Sequence, residues 1–354
     1  MVYTEKDINE VIFLSDIHFG VHANDLGWLD DTVGYFENFF FPFVRSEIIS
    51  GYNPAVIIAG DYFDNRHLLD VQVMHSGMDV MQKLSELVPV YIMVGNHDIY
   101  SINDNYKTSL RIFSKFRNVH VTYERDQLII AGGKKFDMIA WVGDHVKETK
   151  MISESDADFV VLHTEISGMK MDKTRPIING VNCDAFSKKI YSGHIHIRQS
   201  NGKITYLGSP FGTTKTDCDN IKGIYYLTVD GDEVTENFEE NTYSPKFVSY
   251  TYDELCEHPE LVANNYVYFT VKDTETKHIN YAKFLNRLLE YKYRKIFINE
   301  VKTEVVRTDE NTVTKEATVN EIIEQTINSQ ELSDDDKKKL VELDKYYNNL
   351  AVNQ

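Results

Sequence analysis

Short apolar runs that stop abruptly at polar turns dominate the first part of the chain. Residues 11–15, 55–59 and 90–94 read as buried strands. Between them, residues 32–49 are long and rich in aromatics, which suits a helix, and residues 71–87 carry Val73, Val80, Met81 and Leu84 at helical spacing. Strands with helices between them imply parallel pairing in an α/β layered structure. Further strand-like runs follow at 127–131, 136–141, 159–163, 189–192, 204–207 and 224–229. Their closer spacing predicts a second sheet with antiparallel parts. The expected architecture is an α/β two-sheet sandwich flanked by helices.

The pattern shifts near residue 245. Residues 266–271, 281–291 and 295–301 read strand, helix, strand, so 246–305 is expected to be a small α/β capping domain after a main domain of 1–245. Residues 306–318 are polar and threonine-rich, as a linker would be. The tail, 319–354, holds two short amphipathic segments, one with Val319, Ile322, Ile323 and Ile327, the other with Leu340, Leu343, Tyr347 and Leu350. Ser333 followed by Asp334, Asp335 and Asp336 supplies an N-cap with acid in the first turn. Helices this short are marginal alone in water, so they are expected to pack on something.

Composition narrows the class. At 354 residues the chain exceeds a usual single domain, and its 42% hydrophobic content is enough for a buried core. Cys183, Cys218 and Cys256 are odd in number, widely spaced and form no CxxC, which fits a reducing compartment and no disulfide frame. Residues 1–10 are polar and acidic, unlike a signal peptide, and no apolar run approaches the ~18 residues of a membrane span. A soluble, cytoplasmic protein is expected. The net charge of −18 argues against a free-standing nucleic-acid binder. It does not exclude a nuclease, because divalent cations invert the field locally and a basic partner can supply the grip.

The chemistry sits at the strand ends. Asp16 and His18 are two apart after the first apolar run, so their side chains share a side. Gly60-Asp61 follows the second run, where the glycine permits a sharp turn. Gly95-Asn96-His97-Asp98 follows the third. His163 closes residues 159–163, and His194 and His196 form HxH after 189–192. Each motif alone also fits an ordinary loop. Together, five strand ends bearing carboxylate, imidazole and amide oxygen suit a borderline-hard divalent ion such as Mn²⁺, Fe²⁺ or Zn²⁺. Seven donors (Asp16, His18, Asp61, Asn96, His163, His194 and His196) are too many for one ion. Two ions sharing one carboxylate accommodate them, with Asp61 the natural bridge.

In order and spacing these motifs resemble the calcineurin-like metallophosphoesterase family over roughly residues 9–230. Serine/threonine protein phosphatases of that family carry GDxxDRG and GNHE, whereas this chain reads GDYFDNRH and GNHD. The short gap between these motifs, IAW before His163, and SGHIH followed by YLGSPF resemble the SbcD-like DNA exonuclease subunits, and most of all those of large tailed phages. Archaeal and eukaryotic relatives have His where this chain has Asp64, which reads as a branch marker. The resemblance implies the metallophosphoesterase fold and two divalent ions, Mn²⁺ above all, with Mg²⁺ as the other option. It also implies that Asp16, His18 and His196 hold one ion, Asn96, His163 and His194 the other, and Asp61 both. His97 would be a non-ligand facing the scissile phosphate, with Asp98 orienting it from behind.

The resemblance further implies DNA as substrate, an SMC-like DNA-repair ATPase with a coiled coil as partner, and a homodimer. The dimer face is expected along residues 71–87 and 106–116, where Leu110, Ile112, Phe113 and Phe116 exceed what one sheet face needs. The tail is expected to lie on the ATPase coiled coil. If the chain is phage-encoded, it would work in the bacterial host cytoplasm.

Other residues invite plainer readings. His22, His67, His75, His120, His145, His258 and His278 match no ligand motif and are expected to be structural, with Asp144-His145 closing a turn after Trp141. The aromatic run 39–43 is expected in the core. Lys170, Lys173 and Arg175 follow His163 in a loop that fits either a DNA contact or a solvated segment, and Arg66 is a candidate phosphate contact. The function expected is a two-metal DNA exonuclease/endonuclease subunit in recombination and DNA repair. The alternatives are a small-molecule or cyclic-nucleotide phosphodiesterase and a non-catalytic scaffold recruiting the ATPase.

Overall fold

The three apolar runs become adjacent parallel strands because nothing in them tolerates water on either face. The structure, a computed structural model, describes residues 1–102, 104–184, 186–218, 220–272 and 281–301. In it, β2 (Glu10–Leu14), β3 (Pro54–Ile58) and β4 (Val90–Met93) are buried along their whole length. They pair in parallel, and β5 (Val119–Thr122) extends the set. β12 (Gly223–Asp230) returns antiparallel beside β2, and β13 (Glu233–Glu240) closes the six-stranded sheet.

The second sheet has seven strands. Its centre is β7 (Lys135–Ile139), β8 (Phe159–His163), β9 (Lys189–Gly193) and β11 (Ile204–Tyr206), all parallel. β6 (Arg125–Ile129) is antiparallel to β7, β1 (Val2–Thr4) is parallel to β6, and β10 (Gln199–Ser200) is antiparallel to β11. The inner faces of the two sheets meet through Phe13 stacked on Tyr191, with ring centroids 4.6 Å apart.

The helix Val71–Leu87 forms as its spacing predicts. Asp70 caps it by accepting the N–H of Gln72, and Val73, Val80, Met81 and Leu84 make its buried face. Residues 32–49 are helical but not uniformly so. Two α-helical segments, Leu26–Tyr35 and Phe41–Ile49, flank a π-helical turn at Phe36–Phe40, which seats Phe36, Phe40 and Phe41 in the core.

Residues beyond 245 form a third sheet with β15 (Tyr266–Lys272) between β14 (Phe247–Thr251) and β16 (Lys295–Val301), all parallel. The helix Tyr281–Leu289 covers one face, with Phe284 and Leu288 buried against Val267 and Phe269. The expected linker at 306–318 and tail helices at 319–354 lie outside the described residues, as does His278. No helix among the described residues is long and apolar enough to cross a membrane.

Two local expectations change, and one strand carries no signal in the sequence. Asp144 does not close a turn. It caps the helix His145–Ser153, accepting the N–H groups of Val146 and Lys147. β13 escapes the apolar pattern because it is an edge strand, where EVTENFEE presents charge to water. Leu110 and Phe113, expected to cover a dimer face, are fully buried, with the Phe113 ring 5.2 Å from Tyr62 and 6.0 Å from Phe63. The apolar excess there is partly the chain's own core.

Candidate metal centre

The C-terminal ends of β2, β3 and β4 face the C-terminal ends of β8 and β9, and every expected donor lies where these edges meet. The approach is close enough to exclude side chains at two glycines. A Cβ on Gly60 would fall 2.4 Å from His163 Nδ1, and one on Gly193 would fall 1.9 Å from Ser15 Oγ. Four site residues sit in the left-handed region, Asp16 and His18 at φ 52°, Asp61 at 54° and His194 at 80°. Each such non-glycine residue costs on the order of 1–3 kcal/mol, and that strain clusters at the site.

Asp16, His18 and His196 form one group of donors and Asp61, His163 and His194 another, while His18, Asp61 and His97 form a third that overlaps both, each with ligand atoms within 4.8 Å of one another. Asn96 joins the second group. Its Oδ1 lies 3.0 Å from His163 Nε2 and 2.8 Å from His194 Nδ1. Asp61 stands between the groups: its Oδ2 is 3.1 Å from His163 Nε2 and 3.7 Å from His18 Nε2.

The hydrogen bonds around the cluster show that it fits cations. His163 Nδ1 is 2.6 Å from the carbonyl of Ala59, which can only accept, so Nδ1 carries the proton. Its Nε2 faces two acceptor oxygens, those of Asn96 and Asp61, a position that takes positive charge, either a second proton or a cation. Likewise His18 Nε2 and His196 Nε2 face each other at 3.0 Å, a pair that either shares one proton or converges on a cation. Charge preferences agree. Burial works to lower the His163 pKa, yet Asp61 holds it up at about 9. Burial and the neighbouring His18 push His196 down to about 4. Against its burial, the histidines beside Asp61 hold its carboxyl well below the usual range.

Asp16 is held by His194 N–H at 3.0 Å and by the Ser15 hydroxyl at 2.7 Å. His196 is held from outside the cluster. Its Nδ1 is 3.4 Å from Thr213 Oγ1, and its carbonyl accepts a 2.7 Å bond from Lys222 Nζ. The Lys222 side chain, 9% exposed, is ion-paired with Asp217, whose other oxygen accepts the N–H groups of Thr213 and Thr214 at 2.9 Å.

His97 lies beside the cluster, its ring centroid 4.8 Å from that of His18. The expected partnership of Asp98 with His97 is not what the hydrogen bonds show. His97 Nδ1 donates to the carbonyl of Asp64 at 2.6 Å. The Asp98 carboxylate is buried and accepts the backbone N–H groups of Asp61, Tyr62, Phe63 and Gly95. A carboxyl group already engaged by four backbone donors organises the two loops rather than the imidazole. Burial and the nearby Asp61 raise its pKa to about 7.

Two further acids border the site. Asp64 Oδ1 lies 3.3 Å from His18 Nδ1, and Glu165 Oε1 lies 3.6 Å from His194 Nε2. Glu165 is two residues past His163, the spacing of Asp16 and His18, so that repeat in the sequence was the signal for it. Of the basic candidates, Lys173 donates to the carbonyl of Cys218, and Lys170 is tied through its backbone to the Gln199 amide. Arg66 sits in the turn that the Asn65 side chain caps, two residues after Asp64. Among the uncommitted histidines, His22 Nε2 bonds the Thr213 carbonyl and His145 Nδ1 that of Asn179, as structural residues would.

Comparison with known proteins accords with this geometry. Residues 10–198 match the family model for calcineurin-like phosphoesterases. Exonuclease subunit 1 of enterobacteria phage T4 is 23% identical over 361 residues, covering 97% of this chain and 98% of that protein. Proteins described as phosphoesterases in invertebrate iridescent viruses 6 and 3 are 25% and 26% identical, each over 56% of this chain and over 69% and 56% of their own lengths.

Proposed function

The chain belongs to the calcineurin-like phosphoesterase family, and from that premise we propose that it is the nuclease subunit of a DNA recombination and repair complex, cleaving phosphodiesters at a centre of two divalent ions, Mn²⁺ above all. The observation that carries the reading is the position of Asp61 Oδ2, 3.1 Å from His163 Nε2 and 3.7 Å from His18 Nε2, where one oxygen reaches both donor groups. The likeness to a phage exonuclease subunit along nearly the whole of both chains supports DNA as substrate and a second subunit as partner.

In this reading Asp16, His18 and His196 would hold one ion, Asn96, His163 and His194 the other, and Asp61 would serve both. Such a pair supplies a nucleophilic water near neutral pH and neutralises the phosphoryl oxygens. His97 keeps one proton on Nδ1 by donating to the Asp64 carbonyl, so as the imidazolium it would pass the proton on Nε2 to the leaving oxygen. Asp98 and Asp64 position these groups without touching substrate.

The partner is an SMC-like ATPase, with residues 319–350 laid on its coiled coil. The active form is a homodimer. Leu68, Val71, Tyr100, Ile102 and Tyr106 are each more than half exposed, and they supply its apolar surface. Residues 246–305 act as a capping domain.

The test is cleavage of end-labelled single- and double-stranded DNA with Mn²⁺ or Mg²⁺, with and without the ATPase and ATP. Metal-dependent cleavage abolished by Asp61→Ala is expected. Hydrolysis of small diesters with no cleavage of either DNA would make the chain a small-molecule phosphodiesterase, and binding of the ATPase without hydrolysis of any diester would make it a scaffold.

A further inference from the structure

Each ligand imidazole of the metal centre has an inner nitrogen and an outer one, and the group that meets the outer one differs from ring to ring. His163 turns Nε2 inward and Nδ1 to the Ala59 carbonyl at 2.6 Å. His18 turns Nε2 inward and Nδ1 to Asp64 Oδ1 at 3.3 Å. His196 turns Nε2 inward and Nδ1 to Thr213 Oγ1 at 3.4 Å. His194 is reversed. Its Nδ1 faces Asn96 Oδ1 at 2.8 Å, so Nε2 is the outer nitrogen, and it faces Glu165 Oε1 at 3.6 Å.

The backbone at Glu165 is fixed on both sides. The buried hydroxyl of Tyr206 accepts the N–H of Ile166 at 2.7 Å and donates to the carbonyl of Thr164 at 2.9 Å. The Glu165 carbonyl accepts the N–H of Val181 at 2.8 Å, and Gly180 lies so close that a Cβ on it would fall 2.6 Å from that oxygen. Among the described residues the Glu165 side chain pairs with no lysine or arginine, and its ionic partner is His194. A 3.6 Å separation is longer than a hydrogen bond, and the side chain, 33% exposed, has room to close it.

A neutral imidazole carries one N–H, and His194 has an acceptor oxygen at each nitrogen. With the proton on Nδ1 the ring donates to Asn96, and the two side chains satisfy each other. With the proton on Nε2, Nδ1 presents its lone pair beside Asn96 Oδ1, and the two can share a cation. A carboxylate facing Nε2 favours the second arrangement. We propose that Glu165 is a positioning residue that draws the His194 proton to Nε2, and so readies Nδ1 and Asn96 Oδ1 to hold one of the two divalent ions. The inference deepens the two-ion reading, on which it rests, by adding a residue that acts through one ligand on one ion.

Two measurements on the metal-stripped full chain test it. Titration calorimetry with Mn²⁺ reads the affinity for each ion. Long-range ¹H–¹⁵N NMR of histidine-labelled protein reads which nitrogen of His194 carries the proton, with the His194 signals assigned by their loss in His194→Gln. The unmodified chain should bind two ions and carry the His194 proton on Nε2. Glu165→Ala should weaken one ion roughly 10–100-fold, leave the other unchanged and move the proton to Nδ1. Glu165→Gln keeps the shape and an acceptor oxygen without the charge, so it should fall between the two, and it serves where the alanine variant fails to fold.

Ion affinities equal to those of the unmodified chain in the folded variants overturn the proposal. So does loss of an ion with the proton still on Nε2, which would make Glu165 a ligand itself. If the unmodified protein binds no Mn²⁺, the two-ion reading fails on its own, while the NMR still decides whether Glu165 sets the His194 proton.

Discussion

The ammonium of Lys222, buried and ion-paired with Asp217, donates a 2.7 Å hydrogen bond to the backbone carbonyl of His196. The same pair fixes Thr213, whose hydroxyl faces His196 Nδ1, so one ion pair sets both the backbone and the ring of an expected ligand. Lys222→Met strands the Asp217 charge in the interior and should cost about 3–5 kcal/mol of stability. Lys222→Met with Asp217→Asn removes both charges and should recover most of that loss in urea unfolding. Titration calorimetry on the double variant should still show one of the two ions bound more weakly, because the carbonyl of His196 stays unheld. Equal affinity for both ions would show that Lys222 serves stability alone.

His97 and Asp61 should separate chemistry from metal binding. His97→Ala keeps every proposed ligand, so it should retain both ions and lose roughly 10²–10⁴-fold in turnover. Asp61→Ala removes the oxygen shared by the two donor groups and should lose metal. Metal content by mass spectrometry beside the rate of diester hydrolysis reads both. Loss of an ion in His97→Ala would make His97 a ligand.

Asp98 should behave as an organiser of loops. Its carboxylate accepts four backbone N–H groups, one of them from Asp61. Asp98→Ala leaves those buried donors unpaired, at about 1–3 kcal/mol for each that finds no water. The variant should unfold at lower urea and bind metal more weakly. Normal metal affinity with slow turnover would instead place Asp98 in the catalytic step.

Glu10 should make stability fall as pH rises. It is fully buried at the start of β2, beside the carboxyl group of Glu47. Burial, and then the neighbouring Glu47, raise its pKa from 4.5 to about 8. A folded-state pKa above the unfolded value means that the neutral acid is tolerated and the carboxylate is not. The contribution is therefore fully present below about 4.5 and is lost as pH rises through about 8. Glu10→Gln should remove that slope. Thermal melts of both proteins between pH 5 and 9 check it, and parallel curves would show that Glu10 does not ionise in this range.

The sequence by itself determined the layers and the donors. β2, β3 and β4 are legible because strands buried on both faces must be apolar throughout, and the helix Val71–Leu87 is legible because one of its faces must be. Asp16, Asp61, Asn96, His163 and His194 are legible because each interrupts the chain where an apolar strand ends. What those strands pair with, and what holds the donors, was decided only in three dimensions. No local pattern states that Asp98 accepts from Asp61, that the Asp64 carbonyl orients His97, or that Lys222 reaches His196, 26 residues away. Such contacts depend on which backbone groups are left unpaired once the two sheet edges meet, and a buried donor or acceptor takes the nearest partner regardless of its distance along the chain. Polar edge strands such as β13 escape for a related reason: they are held by a neighbour's hydrogen bonds, with only Val234 and Phe238 packed against the core to betray them.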